Sequence, residues 1–177
     1  MNKFAMTAAT AALMLSLSAG ALAASGLGSV TTMSGAGAKA DKAGSVTVNT
    51  TMCELELDDA GKITAVSFDI AQNKVGFDAT GALTGELTGE HPTKKELGDG
   101  YGMKAASGIG KEWFEQAEAL EDWCVGKTIE EVVTMPTYDK GDGHHTQVPD
   151  DVDLKTGCTI DVGSFLNALQ KAADNAK

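Results

Sequence analysis

The sequence predicts a single α+β domain in which an antiparallel sheet built from hairpins is packed by helices on one face. Strand-like segments with apolar residues at alternate positions come first along the chain, and helix-like segments with a 3.6-residue period follow. Because strands and helices do not alternate, a parallel sheet of strand–helix–strand units is disfavoured. The stretch from residue 44 to residue 177 also has the length of one ordinary domain.

The first predicted elements form a hairpin. Residues 45–57 carry Val, Thr, Met and Leu in a strand-like pattern, and residues 63–70 alternate between apolar and polar side chains. The intervening residues 58–62 contain Asp, Gly and Lys, a composition typical of a tight turn. Residues 72–90 have regularly spaced glycines that fit either short hairpin strands or an irregular loop.

Three helices are predicted to cover the apolar face of this hairpin. The first spans residues 109–124, and the second is a short helix ending at Val133, for which Thr128 and Glu131 form a capping box. Ser164 is the expected N-cap of the last helix. The apolar stripe of the first helix consists of Trp113, Ala117, Leu120 and Cys124. The stripe of the last helix consists of Phe165, Leu166, Leu169 and Ala172.

Residues 1–23 have the three parts of a secretory signal peptide. Lys3 gives a positive start, an uncharged apolar run follows, and Ala21-Leu22-Ala23 forms a cleavage site. The apolar run is short for a transmembrane helix, although an uncleaved anchor is the alternative interpretation. We therefore expect cleavage near Ala23, a secreted or periplasmic location, and no membrane insertion of the mature chain.

Residues 24–43 consist mainly of Gly, Ala, Ser and Thr. A segment of this composition has little apolar surface to bury against the entropy lost on ordering. We expect a flexible linker here, followed by the folded domain at residues 44–177.

The charge balance is acidic, with 14 Lys+Arg against 25 Asp+Glu and a net charge of −11, and every basic residue is a lysine. Such a surface disfavours nucleic acid, because phosphate contacts need clustered Lys and Arg. Without arginine the chain also lacks the bidentate clamp that commonly holds phosphate. A phosphate bound here must therefore be held by backbone amides, hydroxyls, lysines or a covalent bond.

The chain contains few candidate catalytic or metal-binding residues. Its three cysteines, Cys53, Cys124 and Cys158, have no metal-ligand spacing and are expected to be buried side chains. His144 and His145 lie among aspartates in a segment rich in Pro, Gly and Asp. A solvated polar loop is the favoured interpretation of this segment, and a metal site is the alternative. We predict no catalytic residue and no metal.

The segment from Asp153 to Thr159, with the sequence Asp-Leu-Lys-Thr-Gly-Cys-Thr, differs from the rest of the chain. It resembles the flavinylation motif Asp-x-x-(Ser/Thr)-Gly-Ala-Thr of secreted FMN-binding domains. These include electron-carrying lipoproteins of Gram-positive bacteria and flavin subunits of sodium-pumping quinone reductases. The match is at Asp153, Thr156, Gly157 and Thr159, and the chain departs from the family at Cys158, where the family has alanine. A thinner similarity extends over residues 44–174.

The resemblance implies an exported electron carrier rather than an enzyme. FMN would be joined by a phosphoester to Thr159, with Asp153, Thr156, Gly157 and Cys158 forming the rest of the cofactor site. The implied partners are a flavin transferase, which recognises the motif, and a membrane reductase. The redox chemistry would belong to the flavin.

The residues themselves are compatible with this function. Gly157 permits a tight turn, and Thr159 offers a hydroxyl on the approach to a helix N-terminus, where a phosphate is favoured. Lys104 and Lys155 are candidate cations. Aromatic candidates for stacking on a flavin are Tyr101, Trp113, Phe114 and Trp123.

A second interpretation stays open. Thr156-Gly157 would be an ordinary turn and residues 158–162 a buried strand leading into the last helix. The chain would then be a cofactor-free exported domain of the same fold that binds a small ligand or a surface protein.

Overall fold

The computed structural model describes residues 24–85 and 87–177, so the predicted signal peptide lies outside the described residues. Three long strands form an antiparallel sheet in the order β1-β2-β3. The strands are β1 (Ala24–Ala36), β2 (Gly44–Leu57) and β3 (Ile63–Phe77), with a two-stranded ribbon of β4 (Thr137–Tyr138) and β5 (Val148–Pro149). The helices are α1 (Lys94–Leu97), α2 (Trp113–Cys124), α3 (Ile129–Val133) and α4 (Gly163–Asp174). An α+β fold with an antiparallel sheet and helices packed on it is confirmed.

The helices pack on one face of the sheet, which we call the inner face. Helix α4 crosses β1 and β2, and α2 packs on β3. The centre of the core is aromatic, since the rings of Phe68 and Phe165 have centroids 5.2 Å apart and the ring of Trp113 lies 6.0 Å from that of Phe165. The predicted α2 and α4 stripes are all buried here.

The flexible linker expected at residues 24–43 is a wrong prediction over most of its length, because residues 24–36 form strand β1. This strand pairs with β2 along its whole length, from Ala24 opposite Leu57 to Ala36 opposite Ser45. The small residues that suggested a linker allow close packing instead. A Cβ at Gly28 would lie 2.0 Å from the carbonyl oxygen of Ala168, so glycine is required where α4 approaches β1. The folded unit therefore includes residues 24–43 as well as the predicted domain.

Local capping signals are partly confirmed. Thr128 and Glu131 form both hydrogen bonds of the predicted capping box of α3. The first predicted helix starts at Trp113 rather than residue 109, where Glu112 and Glu115 form another capping box. Helix α4 starts at Gly163, one residue before its predicted cap.

Ser164 is not the N-cap of α4, because the helix begins at Gly163 and its N-cap is Val162. The carboxylate of Asp161, one residue before the N-cap, binds the first N–H of the helix. Its Oδ1 accepts a hydrogen bond from the Gly163 N–H at 3.0 Å. Residues 158–162 leading into the helix are not a strand but an irregular, largely buried segment. Among the described residues, no helix has both the length and the apolar character needed to cross a membrane.

Candidate functional site

The motif segment forms a compact turn between β5 and α4. The carbonyl oxygen of Leu154, which is buried, accepts hydrogen bonds from the N–H groups of Gly157 at 2.8 Å and Cys158 at 2.9 Å. Asp153 and Thr156 are exposed to solvent on this turn. The five predicted cofactor-site residues are therefore contiguous in space, with one buried anchor and a solvent-facing side.

The structure gives a different explanation for glycine at position 157 from the one that the sequence suggested. Its φ is not positive, so no left-handed conformation requires it. A Cβ at this position would instead lie 3.0 Å from the Cβ of Ala119 on α2. Glycine thus allows the motif to approach α2 closely.

Cys158 is completely buried beneath the turn. Burial raises the pKa of its thiol to about 11, although Lys111 and Lys140 act in the opposite direction. Since the thiolate is the nucleophilic form, Cys158 is not a reactive group at neutral pH. Its role is to fill space, as a small residue at this motif position would.

Thr159 is half-buried and is held by Gln116, a completely buried residue of α2. The Thr159 N–H and hydroxyl both donate to Gln116 Oε1, at 2.9 and 3.2 Å. The Gln116 amide in turn donates to the Ser107 hydroxyl and the Lys111 carbonyl, at 3.1 and 3.2 Å. No pattern in the sequence pointed to Gln116, because its partner Thr159 is far away along the chain.

A cavity of about 380 Å³ adjoins the motif at the N-terminal end of α4. This volume lies within the range of small-molecule and cofactor sites. Its floor is the inner face of the sheet beyond the helices, and its walls come from the segments around α1, α2 and α4 and from the loop between β4 and β5. The lining residues are Thr32, Asn49, Thr51, Ile70, Gln72, Lys94, Tyr101, Met103, Trp113, His144, His145, Ile160, Asp161, Ser164 and Phe165.

One wall of the cavity combines a cation with aromatic rings. Lys94 Nζ lies 4.8 Å from the ring centroid of Tyr101 and 5.2 Å from that of Trp113. The neighbouring segment is fixed by Glu112, a buried carboxylate that accepts the Met103 N–H at 2.8 Å. This wall presents flat apolar surface and one positive charge to the cavity.

The structure sorts the predicted aromatic and cationic candidates. Tyr101 and Trp113 line the cavity, whereas Phe114 and Trp123 do not. The Trp123 indole instead donates to Asp151 at 3.1 Å. The predicted lysines, Lys104 and Lys155, are absent from the lining as well.

Two other lysines lie close to the motif. Lys140 Nζ donates to the Thr159 carbonyl at 2.8 Å. Lys111 Nζ would lie 3.9 Å from a Cβ at Gly157. These two side chains supply the positive charge that a chain without arginine can offer to a phosphate at this turn.

The His144-His145 segment, predicted to be a solvated loop, is exposed for most of its length but also reaches the cavity. His145 Nδ1 lies 2.6 Å from the Asp142 carboxylate, and both histidines are among the lining residues. Within the described part of the chain, no group of three or more His, Cys, Asp or Glu side chains could hold a metal ion.

A larger groove, of about 750 Å³, is lined by residues of all three long strands and of the C-terminal end of α4. Its lining includes Leu27 and Met52 together with the acidic Glu54, Asp69 and Asp174. It holds no aromatic ring, whereas the smaller cavity is lined by Tyr101 and Trp113 and by Ile160, which directly follows the motif, so the smaller cavity is the better candidate site.

The chain is similar to one curated protein over part of its length. Chlorophenol reductase of Desulfitobacterium hafniense is 36% identical over 96 residues, which cover 48% of this chain. The match spans only 29% of the length of that protein. No protein-family model matches the chain, and no solved structure does so either.

Proposed function

We propose that this chain is an exported electron carrier that holds FMN through a phosphoester on Thr159. The observation that carries the proposal is the position of the motif: Thr159 directly precedes Ile160 and Asp161, which line a cofactor-sized cavity with an aromatic and cationic wall. The partial relative is named a reductase, which supports a redox-related role.

The contacts of Thr159 are compatible with such a modification. A phosphoester at Oγ1 removes the hydroxyl proton, so the hydrogen bond of 3.2 Å to Gln116 would be lost. Gln116 Oε1 would keep the Thr159 N–H as its donor at 2.9 Å, and the Gln116 amide would keep both of its acceptors. Attachment would therefore leave no buried polar group of Gln116 without a partner, and its cost is that of one net hydrogen bond, about 1 kcal/mol.

The surrounding charges favour the same modification. Lys140 is tied to the Thr159 carbonyl, and Lys111 lies beside the turn on its α2 side. Both ammonium groups would stabilise the single negative charge of the phosphodiester that would join FMN to Thr159. When bound, FMN would supply the electron-transfer chemistry, while the protein fixes and shields it.

The test is coexpression of the chain with a flavin transferase, followed by in-gel flavin fluorescence and intact-protein mass under denaturing conditions. We expect fluorescence and one added FMN mass in the wild type, and the loss of both in Thr159→Val. Thr134→Val is the matched control, because Thr134 is an exposed threonine outside the motif. A wild-type chain that carries no flavin after coexpression would contradict the proposal.

A separate variant tests the difference between this chain and the family at Cys158. Cys158→Ala restores the residue that the family has there, and the side chain is buried beneath the turn. If the transferase reads the backbone shape of the turn, Cys158→Ala and wild type will be labelled at the same rate. A labelled alanine variant beside an unlabelled wild type would show that cysteine at this position blocks attachment.

One observation favours the cofactor-free alternative. The Thr159 hydroxyl is bonded to Gln116 and is not among the atoms that line the cavity. A chain that shows no covalent flavin but whose melting temperature rises with free FMN or another small ligand would be a non-covalent ligand-binding domain.

A further inference from the structure

Strand β1 lies at one edge of the sheet, and helix α4 closes only the first part of that edge. The backbone groups that face away from β2 belong to alternate residues of the strand. The Leu27 carbonyl accepts a hydrogen bond from the Asn175 side chain at 3.0 Å, and the Ser29 carbonyl accepts one from Lys171 Nζ at 2.9 Å. The next residues of this alternation are Thr31, Met33 and Gly35.

The outward N–H and C=O groups of Thr31, Met33 and Gly35, which we call the open edge, make no hydrogen bond to the part of the chain that the structure describes. The strand is exposed here, and the Met33 side chain is 71% exposed. Unpaired strand edges are templates for another strand, and proteins commonly protect them with charges, proline or bulges. Residues 31–36 contain neither a charge nor a proline, and their register with β2 is unbroken.

The opposite edge of the sheet, formed by β3, is protected at several points. The Phe68 N–H donates to the Glu121 carboxylate at 2.6 Å. The Gly76 carbonyl accepts the Thr84 N–H at 3.0 Å. Lys74 lies between these two contacts, and a lysine is a common protection of an exposed edge. The lack of protection at the open edge of β1 is therefore a local feature and not a general property of this sheet.

The outer face of the sheet, on the side away from α4, is uncharged beside the open edge. The cross-strand rows there are Thr31-Thr50-Ala71, Met33-Val48-Asn73 and Gly35-Val46-Val75. With a net charge of −11, two copies of the chain can approach closely only where the contacting surfaces are uncharged. A basic partner would be attracted to acidic surface elsewhere. The charge distribution thus favours a second copy of the chain as the occupant of the open edge.

We propose that two copies of this chain pair through their open edges, antiparallel about a two-fold axis at Met33. Met33 then lies opposite Met33 of the second copy, and Thr31 lies opposite Gly35, so every outward backbone group of the open edge is paired. A register centred nearer the start of β1 would place the second strand against Ser29, whose carbonyl already binds Lys171. The interface is isologous, as in most homodimers.

This pairing also extends the candidate site. A two-fold axis perpendicular to the sheet keeps the inner faces of both copies on the same side. Thr32, which lines the cavity, lies opposite Ser34 of the second copy in this register. Ser34 pairs with Thr47 within its own chain, so the polar floor of the cavity continues across the interface. Each copy contributes polar side chains beside the cavity of the other.

The test is sedimentation equilibrium of the purified chain from about 1 μM to about 1 mM. Pairing through one short strand buries less than the ~1,200 Å² of a standard interface, so we expect a weak, concentration-dependent dimer. Met33→Lys should weaken the dimer at least about tenfold, because two ammonium groups would face each other at the axis. Leu27→Lys is the matched control: Leu27 is 70% exposed on the same face of β1, but Asn175 closes the edge there, so the dimer should persist.

Two further variants examine the backbone pairing itself. Met33→Pro removes an N–H that faces the second copy and leaves the bonds to β2, so it should abolish the dimer with an unchanged circular dichroism spectrum. In Met33→Cys the opposed Cα atoms would be about 5.5 Å apart, within disulfide range. Mild oxidation should therefore cross-link Met33→Cys and not Leu27→Cys, since the native cysteines are buried.

Three results would overturn the inference. The first is a chain that stays monomeric over the whole concentration range, which would leave a strand of a different protein as the occupant of the open edge. The second is a dimer that survives both Met33→Lys and Met33→Pro, because it would use another surface. The third is equal cross-linking of Met33→Cys and Leu27→Cys. None of these outcomes bears on the attachment of FMN to Thr159.

Discussion

The inner face of the sheet has two halves that use the same strands differently. Under the helices, a cross-strand row joins Gly28, Cys53 and Phe68, and these positions face helical side chains and backbone. Beyond the helices, residues with the same strand parity are polar. The row there consists of Thr32, Asn49 and Gln72, and it forms the floor of the cavity.

The change from the covered row to the open row takes place over four residues of each strand. Thr51 and Ile70, in the row between the two halves, line the cavity, and Thr51 is completely buried. Successive inner-face positions are two residues apart, so the strands stay paired while the side chains on this face change from apolar to polar. The covered half determines stability, and the open half provides a surface for a ligand. Three predictions test this division.

The largest effect is expected in the covered half, from Gly28→Ala. The new Cβ would lie 2.0 Å from the Ala168 carbonyl oxygen, and a helix backbone atom cannot move aside without shifting α4. We expect the free energy of unfolding to fall by about 3 kcal/mol, at the upper end of overpacking costs. Urea denaturation measures this change in the free energy of unfolding.

Gly37→Ala is the control, since a Cβ there meets nothing within 4 Å. Its stability should stay within about 0.5 kcal/mol of the wild type. Equal stability of the two alanine variants would show that α4 does not pack closely on β1 at Gly28. That result would contradict the division of the inner face into a covered half and an open half.

The second prediction concerns the thiols of the covered half. Burial raises the pKa of Cys53 and Cys124 to about 12 and that of Cys158 to about 11, from an ordinary value of 9.0. Above about pH 9 the unfolded thiols lose protons that the folded thiols keep, so stability is full below that pH and falls as the pH rises. Each thiol contributes at most about 1.4 kcal/mol per pH unit.

The measurement is urea denaturation at about pH 8 and about pH 10, on either side of the ordinary thiol pKa. Cys158→Ala should lose stability less steeply between these values than the wild type, because one fewer thiol titrates. A thiol reagent should label the native protein slowly and the urea-unfolded protein fully. Rapid labelling of the native chain would show that the thiols are accessible and not part of a closed core.

The success of the sequence-based predictions follows the range of the interactions involved. The hairpin of β2 and β3, the apolar stripe of α2 and the capping box at Thr128 depend on neighbours a few residues apart, and the pattern of residues specifies them directly. Strand β1 was missed because the partner that explains its glycines is α4, at the other end of the chain. Composition alone cannot distinguish a glycine kept for flexibility from one kept for close packing.

The candidate site was predictable only in part for the same reason. The motif was identified because its residues are contiguous, and Tyr101 and Trp113 were named as aromatic candidates. Gln116 and the lysines at positions 111 and 140 were not identified as contacts of the motif, since tertiary packing brings them there. The pairing of Asp142 with His145 is local, but its position at the cavity depends on the path of the whole loop.

The smallest effect on stability is expected in the open half, from Asn49→Ala. Its Oδ1 accepts a hydrogen bond from Gln72 at 2.9 Å, but this pair is at the surface, so the free energy of unfolding should change by less than about 0.5 kcal/mol. Binding of free FMN, measured by quenching of its fluorescence, should weaken about fivefold, because one hydrogen bond to a ligand contributes about 1 kcal/mol. Asn73→Ala is the control, since Asn73 follows Gln72 in β3 and lies on the opposite face. Equal FMN affinity in the two variants would show that the polar row is not a ligand surface. A large loss of stability in Asn49→Ala would show instead that the open half contributes to the folded core.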